Sequence, residues 1–117
     1  MSFSTLQGLQ SSTLCFGNIA VTPGQGVFTV PANQSALVSS IRIINAHASV
    51  TATINVSVRG VSMAPRKISK QNESLAPGAG IFLVDYVTLG AGDKIEIDVT
   101  AASAPSVNWS LQGVVNK

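Results

Sequence analysis

Charge is scarce in this chain. Asp, Glu, Lys and Arg make up only 10% of its 117 residues, against about 25% in an ordinary soluble domain. The hydrophobic share, 45%, is ordinary, so Ser, Thr, Asn, Gln, Ala and Gly must cover most of the outside. Few like charges then remain to hold molecules apart in solution. A surface destined to be covered by other protein does not need them; the competing reading is a β domain with a Ser/Thr-rich surface. The net charge of +2, with His47 neutral, is too small to imply a nucleic-acid partner from the total alone.

Cysteine and histidine each occur once, as Cys15 and His47. A lone cysteine excludes an intramolecular disulfide and a multi-cysteine metal site. Between Leu14 and Phe16 it reads as a small buried or interfacial hydrophobe. His47 has neither a second histidine nor a clearly spaced Cys or carboxylate partner, and metal and catalytic sites need several converging groups. It reads as a loop residue. No phosphate-binding G-x-x-x-x-G-K-[ST], no G-x-G-x-x-G ahead of a helix and no H-E-x-x-H is present. No enzyme, metal, cofactor or small-molecule substrate is therefore expected. No window approaches about 18 consecutive apolar residues, which excludes a transmembrane helix. Met1 to Thr5 lacks the basic and apolar blocks of a signal peptide, and no membrane association is expected.

What the chain does have is β-strand patterning. The organising stretch is Val27 to Arg59: a short apolar run, Val27 to Val30, broken at Pro31; a longer run, Ala36 to Asn45; and Thr51 to Arg59. In the last, Ala52, Ile54, Val56 and Val58 share one face and Thr51, Thr53, Asn55, Ser57 and Arg59 the other, the period-2 pattern of a half-buried strand. Further strands are expected over Leu14 to Thr22, Ile81 to Leu89, Lys94 to Thr100 and Val107 to Val115. Lys94 to Thr100 should turn Ile95, Ile97 and Val99 inward and a solvated face of Lys94, Glu96 and Asp98 outward. Trp109 is expected to anchor the core. Pro23-Gly24-Gln25-Gly26, Leu75-Ala76-Pro77-Gly78 and Gly90-Ala91-Gly92-Asp93 read as turns, with Asp93 bonding back to its own backbone. The result is an all-β chain, an antiparallel β-sandwich of jelly-roll-like form with about seven or eight strands. At 12.0 kDa its folded surface should be roughly 6,000 Å².

Two runs, Leu37 to Asn45 and Ile81 to Leu89, are apolar on both faces. In a small sandwich that occurs where a second layer or a partner subunit lies outside. Arg42 sits inside the first run and must snorkel, pair or sit at an interface; Asp85 in the second is a plausible cross-strand partner. Residues 1–13 are expected to form an N-terminal arm ahead of a single domain over 14–117, with Phe3, Leu6 and Leu9 as its apolar contacts. Arg59, Arg66, Lys67 and Lys70 place four positive charges before the next carboxylate, Glu73. This irregular piece reads as a solvated loop or as a docking site for an acidic protein surface. It lacks the interleaved aromatics of a single-strand nucleic-acid platform.

Taken in order, Val27-Phe28-Thr29-Val30-Pro31-Ala32, the Ala36 to Asn45 strand, Leu75-Ala76-Pro77-Gly78 and Leu89-Gly90-Ala91-Gly92-Asp93-Lys94-Ile95 resemble small bacteriophage virion proteins of the capsid cement or decoration type. The likeness covers residues 27 to 100. It implies a β-sandwich subunit, commonly a homotrimer, that binds the outside of the capsid and bridges neighbouring major capsid subunits. It also implies assembly in the host cytoplasm and residence on the virion. A neck, tail or baseplate protein is the close competitor, and a carbohydrate- or ligand-binding module a more distant one. Phe3, Leu6, Leu9, Arg42, Arg66, Lys67 and Lys70 are the candidate contact residues.

Overall fold

The computed structural model describes residues 12–116, apart from the side chains of Ser12 and of residues 84–86. Nine strands follow one another: β1 Ser12–Ile19, β2 Gly24–Thr29, β3 Ser35–Asn45, β4 Ala52–Arg59, β5 Arg66–Lys67, β6 Glu73–Leu75, β7 Gly80–Leu89, β8 Lys94–Ala101 and β9 Val107–Asn116. They form two antiparallel sheets, one ordered β1-β9-β3-β7 and one ordered β2-β8-β4-β5 with β6 also on β4. Because β5 and β6 lie along the same side of β4, they act as one interrupted edge strand. On that count eight strands fill two four-stranded layers, the architecture of a jelly roll. Among the described residues no helix is long and apolar enough to cross a membrane.

The core follows from alternation. On β4, Ala52, Ile54, Val56 and Val58 are buried, and on β8 Ile95, Ile97 and Val99 are fully so. They meet Val38, Ile41, Ile43, Val107 and Leu111 of the opposite sheet. The accessible surface, 6615 Å², is near the value that mass alone implies. Trp109 is buried on the inner face, opposite Gly17 on β1. A Cβ on Gly26 would stand 2.6 Å from its indole nitrogen, so both sheets must give up a side chain to house the ring.

That packing corrects one sequence expectation: Gly24, Gln25 and Gly26 are not a turn but the start of β2, and the chain reverses earlier, over residues 20–23. A second correction concerns the irregular piece from Arg59 to Glu73. Its Arg66, Lys67 and Lys70 are exposed, but its backbone is not a free loop: Ile68 N–H donates to the Val56 carbonyl at 2.8 Å, and the Ser69 hydroxyl accepts from Val56 N–H at 2.9 Å. Asn72 N–H donates to Asn55 Oδ1 at 2.8 Å while Asn55 Nδ2 donates to Asn72 Oδ1 at 3.0 Å. Side chains thus replace the missing rungs between β5 and β6. The turn before β8 is as expected, with Asp93 Oδ2 accepting from Gly90 N–H at 2.9 Å.

Asn45 is the polar centre of the fold. It is fully buried, and its Nδ2 donates to the carbonyls of Val50 at 2.7 Å and Leu75 at 2.9 Å. Its Oδ1 accepts from His47 N–H at 3.1 Å, so one side chain holds the β3–β4 connection against β6. A buried amide is tolerated only when its groups are paired in this way.

Candidate interaction surface

The surface that distinguishes this molecule is the outer face of the β1-β9-β3-β7 sheet. Strand register sets four residues in a row across it: Phe16 opposite Ser110, Ser110 opposite Arg42, and Arg42 opposite Phe82. Phe16 is 76% exposed and Phe82 53%, far more than large aromatics usually are. The next row runs Asn18, Asn108, Ile44, Gly80, with Ile44 38% exposed. Small Ser110 and the asparagines floor an open trough of about 440 Å³ between Phe16 and the Arg42–Ile44 ridge. Asn18 Nδ2 donates to Asn108 Oδ1 at 2.7 Å, which leaves the floor flat and only weakly polar.

Arg42 lies over the Phe82 ring, 5.2 Å from guanidinium carbon to ring centroid, a cation–π contact. The strands carrying Arg42 and Asp85 are neighbours, but the residue opposite Arg42 is Phe82; the Asp85 side chain lies outside the described residues. A guanidinium stacked on an exposed ring keeps its N–H donors for a further partner. The sheet face is therefore apolar at its ends and cationic between them.

Arg66 and Lys67 are exposed on β5, and Lys70 is exposed in the gap before β6. They belong to the other sheet, so the structure does not bring them together with Arg42. Arg59 drops out of their cluster. Its Nε donates to Glu96 Oε1 at 3.1 Å, and Glu96 is only 8% exposed. This corrects the expected solvated face of β8: Glu96 sits between Val27 and Ser57 in register and is covered by Arg59. Asp98 Oδ1 accepts from Gln25 Nε2 at 3.1 Å. Next to the basic edge, Val61 and Met63 are exposed at the β4–β5 turn, a small apolar tip.

Phe3, Leu6 and Leu9 lie outside the described residues. Ser12 and Thr13, assigned from sequence to the arm, open β1. Cys15 is half-buried on the inner side of β1, opposite Leu111, and burial pushes its thiol pKa up, the behaviour of a packing residue. His47 Nδ1 accepts from the N–H groups of Ser49 and Val50, each at 3.0 Å, so its ring shapes a turn. Among the described residues no group of three or more His, Cys, Asp and Glu converges.

Sequence patterning identified β3 and β7 as strands with an unsatisfied outer face but did not place Phe16 on the same face. The signal was hidden by an irregularity in register between Thr13 and Cys15, which resets which side chains of β1 point out.

No family model matches the chain, and no curated protein does. Among solved structures, a chain in the structure of infectious bursal disease virus, Gt strain, matches with a TM-score of 0.32 and 11% identity. The match covers 92% of this chain and 27% of that one. A likeness this loose carries no argument about function.

Proposed function

We propose that this protein is a structural subunit of a virus particle. In detail it is a bacteriophage capsid cement or decoration protein that binds the outer surface of the shell and bridges neighbouring major capsid subunits, as a homotrimer. The observation that carries the reading is the uncovered row Phe16, Ser110, Arg42, Phe82 on a sheet face that has no covering layer among the described residues. Exposed, adjoining apolar groups on a small domain mark a contact surface. The scarcity of charge and the ordered turn and strand signatures over residues 27–100 support the same reading.

The mechanism is adhesion rather than chemistry. A subunit that binds only the mature lattice stabilises it by mass action, about 2.7 kcal/mol per site at a hundredfold excess over Kd. Several subunits tied together raise effective affinity without strong individual contacts. In this reading Arg66, Lys67 and Lys70 face an acidic region of the shell, where charge complementarity speeds docking, and Phe3, Leu6 and Leu9 of the arm add apolar anchorage. The protein then resides on the virion and is assembled onto it in the host cytoplasm.

The test is occupancy. Purified protein is added to expanded shells and to tails of the phage that carries it, and bound copies are located by electron microscopy. Saturable density on the shell exterior, with a raised temperature of shell rupture, is expected. Density confined to neck or tail replaces the cement reading with the neck, tail or baseplate one, and absence from all parts of the particle contradicts both. Deleting residues 1–10 is expected to lower occupancy while the isolated domain stays folded.

A further inference from the structure

The row that ends in an aromatic on each side also ends, on each side, at a strand edge. In the order β1-β9-β3-β7, β1 and β7 each have one neighbour. Among the described residues no other backbone hydrogen bond reaches Ser12–Ile19 or residues 80–83. Exposed edges are ordinarily guarded by charge, proline, shortness or a bulge. The other sheet is guarded in this way: Pro23 and Pro31 flank β2, and its opposite edge is broken into strands of two and three residues carrying Arg66, Lys67 and Glu73. The edge of β1 has no charge and no proline, and neither does Gly80-Ile81-Phe82-Leu83. Irregularities do interrupt β1 between Thr13 and Cys15 and β7 beyond Val84, where the pairing jumps from Ser40–Val84 to Val38–Val87, but residues 15–18 and 80–83 are free of them.

We propose that copies of this chain associate head to tail, the free edge of β1 in one copy pairing with the first half of β7 in the next, so that the sheet continues across the junction. Polarity permits it. Neighbouring strands alternate in direction through all four positions, so β1 and β7 run oppositely and a following copy lays its β1 antiparallel to β7. Hydrogen-bonded and non-hydrogen-bonded pairs alternate from one junction to the next in an antiparallel row. The outward edges at Phe16 and Phe82 are therefore in the same phase and match.

Register permits it too. Setting Phe16 opposite the next copy's Phe82 completes the row and makes a cross-strand aromatic pair, a favourable unit of sheet stabilisation. The same register sets Asn18 beside Gly80, which has no side chain to crowd it, Gly17 beside Ile81 and Cys15 beside Leu83. On the inner side Cys15, Ile81 and Leu83 are only partly buried where they flank the core, and the junction would cover all three. The association is heterologous, so it closes into a ring or propagates according to the rotation between copies. This inference deepens the reading as an assembling subunit and rests on it. A chain that stays monomeric yet decorates particles would overturn the pairing and leave that function standing.

Disulfide trapping tests it. In a Cys15→Ser background, Phe16→Cys and Phe82→Cys are introduced together and singly, and each protein is oxidised with copper–phenanthroline. Directly opposite residues bring Cβ atoms to about 4.5–5.5 Å, close to disulfide reach. Cross-linked multimers are expected only when both cysteines are present. Cross-linking in Phe16→Cys alone, which reports a symmetric β1–β1 contact, or in no variant, overturns the proposal. As a separate readout that needs no new cysteine, sedimentation of Phe82→Lys, which places a guard on the edge, is expected to show at least tenfold weaker self-association than wild type; equal association contradicts the pairing.

Discussion

The two sheets of the sandwich share one pleat and one buried core, yet their outer faces are built differently. On the β2-β8-β4 side the outward groups are tied to one another: Arg59 to Glu96 at 3.1 Å, Gln25 to Asp98 at 3.1 Å, Asn55 to Asn72 at 3.0 Å. On the β1-β9-β3-β7 side polar pairs exist, such as Ser40 with Gln112 at 2.8 Å, but Phe16, Ile44 and Phe82 stand beside them in water. Alternation fixes only which residues point outward; their chemistry decides whether the face is finished. The first sheet meets solvent with its hydrogen bonds already made and, among its described strand residues, only Val27 of β2 as a large exposed apolar group, whereas the second holds two exposed aromatic rings and Ile44, apolar area that further contact would bury at roughly 25 cal/mol per Å².

Substitutions can break this comparison or sharpen it. The largest effect is expected at Trp109, which both sheets enclose: Trp109→Ala should lower unfolding free energy by about 3–5 kcal/mol in urea titration and so loosen both faces together. Next is Asn45→Ala. It strands the carbonyls of Val50 and Leu75 and should cost about 2–4 kcal/mol, with the denaturant slope unchanged because the same surface unfolds. Glu96→Gln then probes the finished sheet alone. The carboxylate is buried but Arg59 is partly exposed, so solvent screening limits the expected loss to about 1 kcal/mol.

The unfinished sheet should respond in the opposite sense. Phe16→Ser combined with Phe82→Ser is expected to leave stability within about 0.5 kcal/mol, since neither ring is part of the core, while particle occupancy and self-association fall. Neutralising Arg66, Lys67 and Lys70 to Gln should change stability least. Its expected signature is kinetic, a slower and less salt-dependent association with the shell.

Much of this was legible in the sequence, and the exceptions share a cause. The strands at β4, β8 and β9 are long and alternate cleanly, so Ile54, Ile97 and Trp109 announce their own burial. The strands β5 and β6 carry no such period, because Ser69 and Asn72 side chains supply rungs that local patterning does not encode. Gly24 and Gly26 look like turn residues. Only the position of Trp109 across the sandwich and of Ile19 beside them explains why the strand needs glycine there. Glu96 reads as solvated until Arg59, on the neighbouring strand, is placed over it. Of the contact residues, Arg42 stood out from its run, whereas Phe82 was one of many apolar groups in a run apolar on both faces and Phe16 was not singled out until register put the two on one outward row. Each miss is a tertiary pairing acting on a residue whose local pattern favours something else.

The difference between the sheets is tested most directly by amide hydrogen exchange followed by mass spectrometry at low and high protein concentration. Added protection is expected over residues 14–19 and 80–83 as copies meet, with β2, β5 and β6 unchanged. Protection that appears instead on β2 or on the β5–β6 edge would contradict the assignment of the contact surface to the four-stranded sheet, and protection nowhere would contradict the pairing of β1 with β7.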